Sequence, residues 1–209
     1  MQALNISIFQ WLAAGSTPNP QLLWIASVLA ERGPWVCVAI MAWVAWRKPT
    51  QRAYCMGTLA AAAVTALAAH TLASAIDSPR PFMLGLSPAH IVHGARGSMP
   101  SAHASVMFAV ALIFCIRPAL RKAGLAMLVV AAATGWARVY VGVHFPFDIL
   151  GGLLLAVVIT ALFWLLLRLT RRMVVSRLDR VDPEASLLPR APAEASAAPV
   201  EPPNIARHA

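Results

Sequence analysis

The sequence predicts an all-α fold, a polytopic integral membrane bundle of about five to six transmembrane helices. Three observations predict it. Hydrophobic residues make up 59% of the 209 residues and charged residues only 12%, with a mean hydropathy of +0.68. A soluble domain is roughly half apolar, so this chain carries more apolar surface than a soluble core of its size can hide. The apolar residues also fall into runs of about 20, the length that crosses a bilayer as a helix. Finally, the basic residues cluster at the ends of those runs: Arg47, Lys48 and Arg52; Arg117, Arg121 and Lys122; Arg168, Arg171, Arg172 and Arg177.

Residues 1–20 mix apolar and polar side chains and end in STPNP. Ile6, Phe9, Leu12 and Ala13 recur at helical spacing, which predicts a short helix lying at the membrane interface. The opening MQALNISIFQ lacks a basic segment and a long apolar stretch, so no cleavable signal peptide is expected. A first span is predicted over 22–46, kinked or starting late because Glu31, Arg32, Gly33 and Pro34 interrupt it. An Ala-rich second span covers 53–76. The polar loop 77–100 follows, then spans at 101–116, 123–141 and 148–167. The membrane domain so defined covers 1–177. From 178 to 209 the chain is rich in Pro, Ala and Glu, a composition that cannot bury a core and predicts a disordered cytoplasmic tail.

The net charge of +9 and pI near 11.0 raise the question of nucleic acid. The distribution answers it: the cations flank spans, the pattern of cytoplasmic membrane edges, so no nucleic-acid partner is expected. The same rule puts the linkers at 47–52, 117–122 and after 168 on one face, and those at 77–100 and 139–147 together on the other. Cys37, Cys55 and Cys115 lie in or beside apolar stretches without metal-binding spacing and read as small buried hydrophobes.

On that second face three stretches hold the ionisable residues: SPRPF (78–82), SMPSAHAS (98–105) and ARVYVGVHFPFD (137–148). Ionisable groups at membrane depth cost several kcal/mol and so mark candidate function. In PSAH, Pro100 suits the first turn of a helix. Ser101, Ala102 and His103 would then offer free N–H groups, a hydroxyl and an imidazole to an anion. The plainer reading is a serine N-cap beside a packed histidine. Pro146 marks another helix start, with Asp148 in its first turn, four residues after His144. A carboxylate there can accept from one imidazole nitrogen, fix the tautomer and leave the other nitrogen nucleophilic. Alternatively, Asp148 only favours the helix dipole and His144 is a wet interfacial residue. Arg138 and Arg80 suit bidentate phosphate binding, or are a snorkelling residue and a solvated loop charge.

In combination, Arg-Pro, Pro-Ser-x-His and Arg-x5-His-x3-Asp, in this order on one face, resemble the motifs of the type 2 phosphatidic acid phosphatase (PAP2) superfamily over roughly residues 5–165. The wording SPRPFMLGL, SMPSAHAS and ARVYVGVHFPFDILGG, and the N-terminal NISIFQWL, are similar to the bacterial branch containing undecaprenyl-diphosphate phosphatases. The resemblance implies a PAP2-type helical fold and a covalent mechanism without metal or cofactor. His144 would attack phosphorus, Asp148 would orient it and His103 would protonate the leaving group. Arg80, Arg138, Ser101 and the N–H of Ala102 would hold the phosphoryl oxygens. Its implied partner is a polyprenyl or glycerolipid phosphate at the outer face of a bacterial inner membrane. Oligomeric state is left open.

Two positions depart from the family pattern. Ala73 stands where a lysine usually lies seven residues before the Arg-Pro arginine, and Ala137 replaces the serine before Arg138. Three alternatives accompany the expected undecaprenyl diphosphate hydrolysis. These are a phosphatidic acid or phosphatidylglycerophosphate phosphatase, a lipid phosphotransferase, and a catalytically silent membrane protein that binds anionic lipid.

Overall fold

The computed structural model describes residues 2–181, with side chains through 174, and every α-helix below lies within them. Helix α1 runs Gln2–Leu12, α2 Pro20–Arg47, α3 Arg52–Ile76, α4 Ala102–Cys115, α5 Arg121–Tyr140 and α6 Pro146–Val181. The chain divides into two compact units, 1–167 and 168–209. The first contains every site discussed below; the described part of the second is helical through 181. The expected tail at 178–209 therefore begins inside α6, and its remainder lies outside the described residues.

Among the described residues, four helical segments are long and apolar enough to cross a membrane, within Pro20–Arg47, Pro49–Leu84, Pro118–Tyr140 and Pro146–Val174. Their outward faces are apolar: Trp24, Trp43, Leu67, Val129, Leu154 and Leu162 are exposed. This is a multi-pass membrane protein.

The segment expected as a third span behaves differently. Helix α4 has 14 residues, so it rises only about 21 Å against a hydrocarbon core of about 30 Å. Ala104, Ser105, Met107 to Ala111, Ile113 and Phe114 are buried. Burial around nearly its whole circumference makes α4 the central post of the bundle, packed against α3 and α5. Small residues on α4 and α6 permit close approach. A Cβ on Gly152 of α6 would lie 3.0 Å from the Ala104 Cβ.

Helix α2 begins at Pro20, where the Asn19 side chain accepts from the N–H groups of Gln21 and Leu22 at 3.0 and 3.1 Å. That is ordinary N-capping. It runs unbroken through Pro34 to Arg47. A proline inside a helix has no N–H to give to the carbonyl four residues back, here that of Ala30.

The basic linkers meet at one end of the bundle. Lys48 Nζ donates to the Ala119 carbonyl at 2.6 Å and Arg117 Nε to Gln51 Oε1 at 3.1 Å. The loops at 77–100 and 139–147 meet at the other end, where the His90 N–H donates to the Val141 carbonyl at 3.0 Å.

Helices α2 and α5 approach closely at Gly33, where an added Cβ would sit 2.0 Å from Thr134 Oγ1. Gly33→Ala should therefore lower the thermal midpoint of the detergent-solubilised protein, by about 1–3 kcal/mol of overpacking. Adding Thr134→Ala should recover part of the loss. An unchanged midpoint for the single variant would refute this packing argument.

Candidate active site

Two turns bring the three polar stretches together. After α5 the chain reverses through Gly142, at φ +81°, where a Cβ would lie 2.4 Å from the Pro88 carbonyl oxygen. In that reversal the Arg138 carbonyl accepts from the N–H groups of Val143 and His144 at 3.2 and 3.3 Å. The six-residue spacing is thus one closed turn, with Arg138 on a helix end and His144 folded back beside it. On the other side α3 ends at Asp77, in the left-handed region at φ +46°, which aspartate tolerates better than most residues. The returning loop crosses α3 there: Gly97 leaves no room for a Cβ, which would fall 2.0 Å from the Ala73 carbonyl oxygen. The Ser98 N–H donates to the Ser78 carbonyl at 2.9 Å.

Helix α6 starts at Pro146 with Asp148 in its first turn. Asp148 Oδ2 lies 3.2 Å from His144 Nδ1 and accepts from the Phe145 N–H at 2.8 Å and from the Ser98 hydroxyl. Ser98 Oγ is also 3.4 Å from His144 Nδ1. The N-terminal helix reinforces this start. Asn5 Oδ1 accepts from the Phe147 N–H at 3.1 Å, and Phe9, wholly buried, packs edge-on against Phe145 with centroids 5.2 Å apart. Ile6, Leu12 and Ala13, the apolar repeat of the sequence, pack around the same cluster. Helix α1 therefore braces the loop that carries His144.

His144 is 2% exposed, Arg138 2% and Arg80 5%. None is the wet histidine, snorkelling arginine or solvated loop charge that the sequence also allowed. Arg80 is tied to backbone carbonyls of both loops: Nε to Arg96 at 2.9 Å, Nη1 to Val143 at 2.9 Å and Nη2 to Gly97 at 3.2 Å. Its Nη1 also stands 3.2 Å from His144 Nε2. The same Nη1 is 3.5 Å from Nδ1. A guanidinium can only donate, so His144 is neutral, and the Asp148 carboxylate, which can only accept, takes the Nδ1 proton and leaves the lone pair on Nε2. Burial first, then the Arg138 and Arg80 charges, hold the His144 pKa well below the usual imidazole range.

Arg138 Nη1 donates to the Ala30 carbonyl at 3.2 Å, the acceptor that Pro34 leaves without its helical partner. Its Nη2 lies 2.7 Å from His93 Nε2. Among the described residues, the buried Arg138 Nε, Ser101 Oγ and Ser78 Oγ have no hydrogen-bond partner. Buried donors are nearly always satisfied, so each can take an acceptor. The backbone of Ser101 is another matter. Pro100 lies before α4 rather than in its first turn, Ser101 is the N-cap, and its N–H donates to the Asp148 carbonyl at 3.0 Å. The expectation of a free Ser101 N–H is thus corrected, because the start of α6 consumes it; the hydroxyl remains.

These groups line one cavity of about 530 Å³, shared by Ala102, His103, Arg138, His144 and Arg80 with His70, Ala73, Ser74, His93 and Arg96. Of the candidate site residues read from sequence, Arg80, Ala102, His103, Arg138 and His144 line this cavity; Asp148 reaches it through His144, and Ser101, whose N–H bonds the Asp148 carbonyl, is not in the lining. Two positions escaped the sequence reading. Ser98 sits within a quoted motif, but its role as a partner of Asp148 depends on the fold. His93 was signalled only by being a histidine in the polar loop. Three arginines, Arg80, Arg96 and Arg138, against the one carboxylate of Asp148 leave the cavity electropositive, suited to an anion with several oxygens.

A family profile described as the PAP2 superfamily matches residues 52–172, which span all the residues lining this cavity. The chain belongs to the PAP2 superfamily. Members of this family are phosphatases. YbjG of Escherichia coli (strain K12), provisionally named an undecaprenyl-diphosphatase, is 32% identical over 156 residues, 74% of this chain and 78% of its own. The undecaprenyl-diphosphatase BcrC of Bacillus subtilis (strain 168) is 36% identical over 86 residues, 41% of this chain and 44% of that protein. The crystal structure of a transmembrane PAP2-type phosphatidylglycerolphosphate phosphatase from Bacillus subtilis superposes with a TM-score of 0.61 at 24% identity. That match covers 78% of this chain and 83% of the other, and supports the same helical fold.

Two expectations follow from the geometry. Pro34→Ala lets residue 34 donate to the Ala30 carbonyl and compete with Arg138 for it. It should therefore lower kcat/KM about tenfold while leaving the thermal midpoint unchanged or higher; a full-rate variant would show that Arg138 needs no such anchor. Because the His144 pKa is lowered, the ring stays neutral as pH falls through 6.5. The acid limb of kcat/KM should then lie below pH 6.5, and a limb at or above it would contradict the site's electrostatics.

Proposed function

We propose that this protein is a membrane lipid phosphatase that hydrolyses undecaprenyl diphosphate to undecaprenyl phosphate and inorganic phosphate. One observation carries the reading. A histidine with an unprotonated Nε2, oriented through Nδ1 by a buried carboxylate, opens onto a cavity lined by the two buried guanidiniums of Arg80 and Arg138. The names of the PAP2 relatives support the choice of substrate.

In the proposed reaction the His144 Nε2 lone pair forms a bond to the terminal phosphorus as the bond to the bridging oxygen breaks. Arg80, Arg138, the Ser101 hydroxyl and the first N–H groups of α4, including that of Ala102, offset the charge spread over the phosphoryl oxygens. Protonated His103 gives its proton to the departing lipid phosphate. Water then attacks the phosphohistidine, His103 takes the water's proton, and the phosphorus–nitrogen bond returns its electrons to His144. Asp148, held by Ser98 and the Phe145 N–H, keeps the ring in the reactive tautomer throughout. None of these steps calls for a metal or cofactor.

The basic linkers at 47–52 and 117–122 gather at the end opposite the cavity. By the positive-inside rule this supports a site on the outer face, in this reading that of a bacterial inner membrane, where lipid-carrier recycling for cell-wall synthesis would need it.

Purified wild type should release phosphate from undecaprenyl diphosphate faster than from phosphatidic acid or phosphatidylglycerophosphate, with no loss in EDTA. His144→Ala should fall to background; undiminished release would reject the mechanism and favour a silent lipid-binding protein. His103→Ala should lower kcat by about 10²–10⁴ with little change in KM. A matched loss of binding instead would make His103 a phosphate holder. Transfer of label to an added acceptor lipid in place of water would point to a phosphotransferase.

A further inference from the structure

Ala73, at the position where the family pattern has a lysine, lines the cavity and brings no cation to it. His93 has no role so far. Its ring lies edge-on to His144 with centroids 5.8 Å apart, its Nε2 is 2.7 Å from Arg138 Nη2, and its Nδ1 is 3.2 Å from the Gly94 carbonyl oxygen. Because a guanidinium only donates, Nε2 must be the acceptor and Nδ1 must carry the proton that Gly94 receives. His93 is therefore neutral and rests on the very donor that a phosphoryl oxygen would use.

The ring is fixed there from both sides. His90, three residues earlier, is anchored by its N–H to Val141 and by Nε2 to the Gly15 carbonyl at 2.9 Å. Arg96 and Gly97, just after, are held through their carbonyls by Arg80. His70, Ser74 and Arg96 also line the cavity, but His93 is the ring already seated between a phosphate-binding group and the nucleophile.

The charges facing His93 are those of Arg80 and Arg138, with His103 and His144 beside them in the cavity and Asp148 behind His144. Burial, and then these guanidiniums, push the His93 pKa down to about 4. A phosphate dianion offsets the guanidiniums' part of that shift and gives the charged ring a counter-charge.

Given the phosphatase reading, on which this rests, we propose that His93 is the site's third phosphate-holding cation, in place of the absent lysine. The anion displaces its Nε2 from Arg138, the ring takes a proton from solvent there, and the new N–H donates to a phosphoryl oxygen.

The test uses the full chain in detergent as wild type, His93→Ala, His93→Gln and the double variant His93→Ala with Ala73→Lys. KM is measured with a short-chain prenyl diphosphate, and binding of inorganic phosphate is followed by calorimetry, independently of turnover. Both single variants should weaken phosphate binding and raise KM about tenfold or more, as for loss of a charged hydrogen bond. Glutamine can still accept from Arg138 but cannot become a cation, so its loss separates charge from positioning. The lysine should restore most of the affinity, which a merely structural role for His93 would not permit. The wild-type to His93→Gln affinity ratio should fall toward one as pH rises through the bound-state pKa of His93, since the ligand's own titration cancels in the ratio. An active wild type with an unaffected His93→Gln variant, or a double variant no better than His93→Ala, overturns the proposal alone. A wild type that binds phosphate but turns over no lipid phosphate overturns the phosphatase reading and this inference with it.

Discussion

Two buried guanidiniums at one end of an apolar bundle are the constraint on which the rest of this structure depends. A charge taken out of water costs several kcal/mol unless hydrogen bonds and counter-charge replace its hydration. Arg80 meets the cost with three backbone carbonyls drawn from two different loops. In doing so it ties 77–100 to 139–147 and fixes the position of His144. Arg138 meets it only in part, through the Ala30 carbonyl and His93, and keeps a buried Nε unsatisfied. What remains unmet is what an anion would supply.

Each neighbouring element can be read as an answer to that constraint. Pro34 deprives the Ala30 carbonyl of its helical donor, and Arg138 takes the vacancy. Gly33, one residue earlier, lets α5 come close enough for this to happen. The start of α6 is held by three unrelated segments: Asn5 on α1, Ser98 in the polar loop and Ser101 at the head of α4. The last of these spends a backbone N–H that an isolated helix N-terminus would have offered to phosphate. Orientation of Asp148, and through it of His144, takes that donor away from binding.

The site is rich in imidazole where its family pattern has a lysine. A lysine is a permanent, strongly hydrated point charge. His93, beside Arg138, is in its proposed role a conditional one, charging only when an anion offsets the surrounding field. Such a charge adds no further fixed cation to a cavity that Arg80, Arg96 and Arg138 already line.

Much of this was legible in the sequence, because the signals were local and periodic. Apolar run length set the spans, clustered arginines set which linkers share an end, and proline followed two residues later by Asp148 marked the start of α6. Motif order brought His103, His144, Asp148, Arg80 and Arg138 to one face. The sequence by itself therefore determined the helical class and the family, and singled out candidate residues that the fold brings to one cavity. Tertiary structure decided what no local pattern encodes. The 14-residue α4 became the buried centre rather than an ordinary span, since burial depends on neighbours. Ser98 became the partner of Asp148, the Ser101 N–H was committed to α6, and His93 came to rest on Arg138. Each of these is a contact between segments far apart in the chain. Such contacts arise from the cost of burying polar groups in an apolar bundle, which is settled only when the helices pack.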